Sequence, residues 1–411
     1  MVSEGHRVRM LWLCGVLHAF THIYHVALIP LYFPIQRDLK LVSVDQATLL
    51  QTVLMLSYFV PSYWLGVLAD RLNRRKLLAW GLAINGLGFV GLAFAPSQPF
   101  ALASVVVAGL GGCCYHPAAT ALIARLHPVG TGRALGLVGI GAGVGFFLAP
   151  IYVGWRAETA GWRAPVLELG VAGMIMAGIF YRLAEEEPGA RAEPGRRLDP
   201  MFPNRTLWFW FVAASLLFSV RDFAGSSVGT LGSLFMQEAH GFSLQQTGLT
   251  LSALFLAAVV SNPFFGALSD RGRLRWTAFV LAIAALAIAL FPRVGPGGFV
   301  PVLAVYGFFF MASYPMVEAA LMESVPDAVR GQIYGFFITV GGLVGNCSHW
   351  AMGHHVETLG AGATRPASYY GLYAGLAGLV LVSLLGLPCL RAIRNRELDL
   401  TGAAASPAVR P

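Results

Sequence analysis

Three histidines stand in the first apolar block of the chain, His18, His22 and His25. Intervals of four and three place them on one face of a helix, with Cys14 one turn before His18. A later block carries Cys113 and His116 three positions apart, again on one face. His18 and His116 each lie about nine residues beyond a basic residue, Arg9 and Arg125, which is about 13 Å along a helix. The two rings therefore belong at similar depth. Imidazole titrates near neutrality and suits proton handling. It also suits hydrogen bonding to a polar or anionic substrate, or contact with a soft metal ion when thiolates stand nearby. No spacing matches a closed structural zinc site, so no resident metal or cofactor is expected.

Three further ionisable residues fall where the sequence is otherwise apolar: Arg221, Asp222 and Glu318. Charge in a membrane span is costly unless paired or wetted, so each is a candidate site residue. Arg221 keeps its charge and offers a planar fork to an anionic group. Its alternative is a buried ion pair with Asp222 or Glu318 that specifies packing. Adjacent helical residues diverge by about 100°, so Arg221 and Asp222 are expected to find different partners. Glu318, the deeper carboxylate, is the first choice for carrying a proton, ahead of Asp222. Tyr115 and Tyr314 adjoin His116 and Pro315 and are cavity candidates. The expected substrate contacts are thus His18, His22, His25, Tyr115, His116, Arg221 and Tyr314.

These residues must be positioned by membrane helices. Of 411 residues 56% are hydrophobic and 12% charged, about half the charged share of soluble domains. The apolar residues run in blocks long enough to cross about 30 Å of hydrocarbon. Twelve spans follow: 10–34, 46–69, 77–96, 98–124, 132–155, 163–183, 206–236, 247–269, 275–292, 298–323, 331–354 and 367–390. The expected fold is an all-α integral membrane protein, with twelve transmembrane helices in two pseudo-symmetric six-helix bundles. Residues 1–184 and 206–396 would form the bundles, 185–205 a polar cytoplasmic linker rich in Pro and Gly, and 397–411 a cytoplasmic tail. The first block lacks a small-residue cleavage pattern and reads as a retained helix. The five cysteines lie in apolar segments and form no disulfide framework. Trp64, Trp155, Trp162, Trp208 and Trp276 suit the membrane interfaces.

The formal charge of +8 would suggest nucleic acid in a soluble chain; here 21 of the 28 Lys and Arg fall in the turns and tails of one side. That asymmetry predicts a membrane-surface explanation, no nucleic-acid partner, and both termini in the cytoplasm.

The halves echo one another. Gly66-Val-Leu-Ala-Asp70-Arg71-Leu-Asn-Arg74-Arg75-Lys76 returns as Gly266-Ala-Leu-Ser-Asp270-Arg271-Gly-Arg273-Leu-Arg275. Pro117 and Pro128 are matched by Pro315 and Pro326, 198 residues later in both cases. Pro117 and Pro315 lie inside spans, where freed carbonyls suit a bent helix lining a cavity. Glycines repeat through the fifth span (132, 136, 139, 141, 143, 145) and the eleventh (335, 341, 342, 345), where small residues let helices approach closely. Duplication of this kind points to a membrane transporter.

With the paired turns and twelve spans in place, the chain resembles the major facilitator superfamily. Leu17-His18, the Gly111-x-x-x-Tyr115-His116-Pro117 stretch, and Glu323-x-x-Pro326 with Arg330-Gly331 resemble its fosmidomycin-resistance branch of bacterial efflux proteins. The chain departs from that branch at His22, where a carboxylate is usual, and lacks the Gly-Pro step common in the fifth helix of proton-driven exporters. The resemblance implies a proton-coupled exporter in the bacterial inner membrane, with helices one, four, seven and ten lining the cavity. It implies gating by Gly66, Asp70, Arg71, Arg74, Arg125, Asp270, Arg271 and Glu323, with Asp70 pairing Arg125. The expected partners are a small polar or anionic compound or drug, protons and membrane lipids, and the expected state is a monomer. A carrier of a metal ion or metal chelate is the alternative cargo reading. A non-transporting receptor or lipid-binding protein is the alternative outside transport. No nucleophile, base and orienter come together as an enzyme would need.

Overall fold

A computed structural model describes residues 4–62, 64, 72–185, 202, 204–269, 272–325 and 330–404. Among the described residues the regular structure is helical throughout. The first half comprises α1 (Glu4–Val26), α2 (Tyr32–Asp38), α3 (Val44–Phe59), α4 (Arg74–Ala93), α5 (Gln98–Gly112), α6 (Tyr115–Leu126), α7 (Thr131–Ala160) and α8 (Arg163–Leu183). The second comprises α9 (Arg205–His240), α10 (Leu244–Ser269), α11 (Arg273–Leu290), α12 (Phe299–Met322), α13 (Arg330–Thr358), α14 (Tyr370–Val382) and α15 (Gly386–Ala404). Among the described residues, nine helical stretches are long and apolar enough to cross a membrane. Helices α3, α10 and α13 complete the twelve crossings of the two-bundle fold.

Asparagine side chains start two of these helices. Asn73 accepts a hydrogen bond from the Lys76 amide at 3.1 Å, and Asn204 accepts one from Leu207 at 2.9 Å. Each satisfies one of the donors a helix start leaves open. The matched prolines differ in effect. The fourth span breaks into α5 and α6 at Cys113 and Cys114, just before Pro117, whose ring excludes the carbonyl four residues back. Its counterpart Pro315 lies within an unbroken α12.

The duplication is visible in the packing. Helix α1 packs on α7 as α9 packs on α13; α4 packs on α5 and α8 as α11 packs on α12 and α14. Between the halves, α7 lies against α10 and α13 against α3, the same pairing with the halves exchanged. Glycine makes the α1–α7 approach possible. A Cβ at Gly141 would fall on the carbonyl oxygen of Gly15, and one at Gly145 on that of Ala19, one turn further. Gly136 and Gly139 face open space instead.

Hydrogen bonds between the halves gather toward the ends of the spans opposite the N-terminus. Tyr32 pairs with Thr230 at 3.0 Å, Ser233 donates to the Ile29 carbonyl at 2.7 Å, and Gln237 donates to Pro30 at 3.2 Å. The start of α3 meets the end of α13: Glu357 accepts from the Val44 amide at 3.0 Å and Asp45 meets His354 at 3.1 Å. Glu158, late in α7, accepts from the first amide of α10 at 2.9 Å.

Trp64 and Trp155 are exposed as interface anchors should be. Trp162 is not one: it is buried, and its indole N–H donates to Asp38 at 3.0 Å. Gly66, Asp70, Arg71, Asp270 and Arg271 lie outside the described residues or their described side chains, as do residues 186–201 of the proposed linker and 405–411 of the tail.

Candidate functional site

Helix α1 and the restarted α6 bring the histidines together. The His18 and His22 rings lie 4.8 Å apart, and His116 lies 5.1 Å from His18 and 5.6 Å from His22. Their ring nitrogens approach to 3.1 Å between the Nε2 atoms of His18 and His22. The α1 stripe thus meets its α6 counterpart at the same depth, as the spacing from Arg9 and Arg125 predicts. Tyr115 stacks on His18 at 4.9 Å and donates its hydroxyl to the Cys14 carbonyl at 2.7 Å, which pins α6 to α1. His18 Nδ1 faces the Val138 carbonyl of α7 at 3.0 Å. That contact depends on the close approach at Gly141 and Gly145.

His25 lies at the far end of the stripe, 4.9 Å from His22 and edge-on to Tyr58 at 4.4 Å. The thiols do not join the imidazoles. Cys14 is fully buried, and the Cys113 thiol donates to the Leu110 carbonyl at 2.8 Å. A shared helix face brings residues near one another; it does not turn every side chain in the same direction.

The second half gathers the charged residues. The Arg221 guanidinium forks onto the neighbouring Asp222 carboxylate at 2.8 and 3.0 Å. It lies 4.1 Å from the centre of the Tyr314 ring and reaches Ser313 at 3.4 Å. Arg221 is 1% exposed. The expected divergence of Arg221 and Asp222 holds for their Cβ atoms only: the arginine side chain is long enough to swing its head back to Asp222. Glu318 lies on the same side of α12, half-buried, and electrostatically coupled to Arg221 and Asp222. Its hydrogen-bond partner is Tyr334 of α13. Gly341 and Gly345 of α13 leave room for Asp222, since a Cβ at Gly345 would stand 3.1 Å from the Asp222 Cβ.

The structure therefore unites the predicted residues as two clusters, one in each half. Tyr58 and Phe59, at the end of α3, join them. Tyr58 lies 6.2 Å from His116, while the adjoining Phe59 ring fills the space over Gly342 of α13. A second bridge is the stack of Phe146 on Phe255 from the other half, 4.8 Å apart and 9° from parallel. Phe146 also covers His22 at 4.2 Å.

Sequence reasoning missed Tyr58, Tyr334 and Phe255. A tyrosine or phenylalanine within an apolar span gives no signal among so many others. Tyr334 alone had one, since it lies one turn into the span that begins at Arg330. Among the gating candidates, Arg74 opens α4 and is 9% exposed. Glu323 pairs with Arg273 at 2.6 Å on the N-terminal side of the molecule. Glu323 stands 198 residues after Arg125, and its partner Arg273 lies three residues beyond Asp270, the counterpart of Asp70, in the repeated turn. Asp70 itself lies outside the described residues.

Two halves with matched helix packing, each carrying a polar cluster, fit a membrane transporter. The chain belongs to the Major Facilitator Superfamily, whose family model matches residues 11–347. It is 24% identical over 383 residues to the uncharacterized MFS-type transporter YfnC of Bacillus subtilis, covering 91% of this chain and 93% of that one. It is 24% identical over 370 residues to the quinolone resistance protein NorA of Staphylococcus aureus, covering 87% and 90%. Among solved structures, the fold is similar to a bacterial homolog of the human lysosomal transporter Spinster, in an inward-facing and unoccupied conformation. The TM-score is 0.73 at 17% identity, over 97% of this chain and 99% of that one. The narrower likeness to fosmidomycin-resistance proteins rests on the motif residues alone.

Proposed function

We propose that the chain is a proton-coupled exporter of a small polar or anionic compound, working by alternating access. The observation that carries this reading is the pair of clusters at the seam: imidazoles in one half, and Asp222, Glu318 and Arg221 in the other. Helices α7, α10, α3 and α13 are the surfaces on which the bundles rock. Substrate enters from the side bearing the N-terminus, and protonation of Glu318 or Asp222 biases the return. The outer latch between α3 and α13 supports a resting form closed on the far side. The charge asymmetry supports cytoplasmic termini in a bacterial inner membrane, with a single chain as the transporting unit. The resistance protein among the relatives supports a drug-like cargo.

Arg221 takes a different part from the one its charge suggests. Sealed against Asp222 and Tyr314, it positions the carboxylate, and the imidazole cluster with Tyr314 offers the polar contacts to substrate.

The test is transport into proteoliposomes with and without a pH gradient, using a quinolone and a phosphonate anion as probes. The wild type moves at least one probe in response to the gradient. Glu318→Gln keeps the folded protein and loses the response. Gradient-driven transport unchanged in Glu318→Gln removes that residue from coupling, and a wild type that binds a probe without moving it returns the protein to the receptor class.

A further inference from the structure

We propose that His18, His22 and His116 form a binding site for one nitrogen-preferring transition-metal ion, such as Zn2+, Co2+, Ni2+ or Cu2+. Each of the three rings offers a nitrogen, and these atoms all lie within 4.8 Å of one another. Three nitrogens bound to one tetrahedral ion at about 2.0–2.1 Å stand about 3.3 Å apart. The His18–His22 pair, at 3.1 Å, already has that spacing. The third ring, on α6, needs only to close by an ångström or so, as a rotamer adjustment supplies.

The surroundings prepare the site. Spacing of four on one helix face is the arrangement by which a helix presents two imidazoles to a single ion. The Val138 carbonyl at 3.0 Å from His18 Nδ1 is an acceptor only, so the ring carries its proton there and turns a bare Nε2 toward His22. His22 must then donate from its own Nε2, leaving Nδ1 bare; that atom is buried and has no hydrogen-bond partner. An ion at Nε2 asks His22 only to carry its proton on Nδ1 instead. Both rings stay neutral, and His22 needs only a change of tautomer to free its Nε2 for the ion. Tyr115 on one side and Phe146 on the other hold the rings in place.

The donor set fixes the class of metal. Among the described residues no carboxylate or thiol joins the three imidazoles. That excludes the oxygen-seeking Mg2+, Ca2+ and Mn2+ and favours the later first-row ions. Three ligands leave a coordination position open. The site shares its imidazoles with the export reading but uses none of Arg221, Asp222 and Glu318, so metal binding and proton coupling can be tested apart.

The test is titration of the full-length protein, without a polyhistidine tag, in lipid nanodiscs with Co2+, followed by its visible ligand-field bands. One ion binds per chain, Zn2+ displaces it and Mg2+ at the same concentration does not. Affinity falls at least about a hundredfold in His22→Gln and His116→Gln. It is unchanged in His25→Gln and in the export-dead Glu318→Gln, so loss of transport and loss of metal binding separate. A second measurement needs no variant: Zn2+ protects His18, His22 and His116 of the wild type from diethylpyrocarbonate, and leaves His354 reactive. Absence of the bands, the same bands in the His18/His22/His116 triple variant, or no protection of these three residues overturns the proposal.

Discussion

Replacing Arg221 by methionine is the sharpest test of how the second half is built. The arginine is 1% exposed and its head makes two contacts, at 2.8 and 3.0 Å, to the Asp222 carboxylate. Methionine keeps most of the side-chain volume and removes the charge. Asp222, only 17% exposed, is then left without its counter-charge. Breaking one side of a buried pair costs about 3–5 kcal/mol, because the remaining charge stays desolvated. Replacing both partners by apolar residues of similar size is close to neutral. Arg221→Met and Asp222→Leu each destabilise by several kcal/mol, while the double variant lies within about 1 kcal/mol of the wild type. The coupling energy is then about 3 kcal/mol or more, over a hundredfold in the unfolding equilibrium. Ser313→Ala changes little, since its contact to Arg221 is long, at 3.4 Å. The assay is reversible unfolding in mixed micelles, read by tryptophan fluorescence across the four-member cycle. Additive single effects, with coupling below about 0.5 kcal/mol, refute the pairing and return Arg221 to the role of a free anion clamp.

Two further outcomes follow from the packing. Gly141→Val drives a side chain into the Gly15 carbonyl, so it destabilises the bundle by about 1–3 kcal/mol and shifts the His18–Val138 contact. Gly136→Ala, facing open space, leaves the melting temperature unchanged or slightly raised, and equal effects of the two would refute the close approach. At the far-side mouth, burial pushes the Asp45 carboxyl up, but hydrogen bonds from Ser43 and His354 outweigh it and hold the group below the usual carboxylate range. A depressed carboxylate stabilises closure at pH above its free value and loses that contribution as pH falls through the lowered one. Spin-label distances between the ends of α3 and α13 therefore lengthen only in the acid range below the usual carboxylate pKa, about 4. His354→Gln moves that opening to higher pH, and a pH-independent distance in the wild type refutes the latch.

Helix number, duplication and the stripe of histidines were all legible in the sequence, for a common reason. Apolar block length, repeated turns and i, i+4 spacing are properties of a single helix and need no knowledge of its neighbours. His18 and His116 meeting at one depth was legible too, because both spacings count from a charged membrane edge. Which side chains of a face then touch was not. Cys14 and Cys113 share faces with the histidines yet turn to packing and to a backbone carbonyl. Trp162 has the composition of an interface anchor, but Asp38, on a separate helix, takes its N–H.

By itself the sequence determined a twelve-helix, two-bundle membrane protein and the short set of polar residues that such a protein cannot bury without purpose. The tertiary structure decided their partners. Arg221 closes on Asp222, Glu318 on Tyr334, and three imidazoles gather into one cluster under Tyr115 and Phe146. Those outcomes depend on side-chain reach and on where glycines let helices come together, and contacts between helices carry no period along the chain.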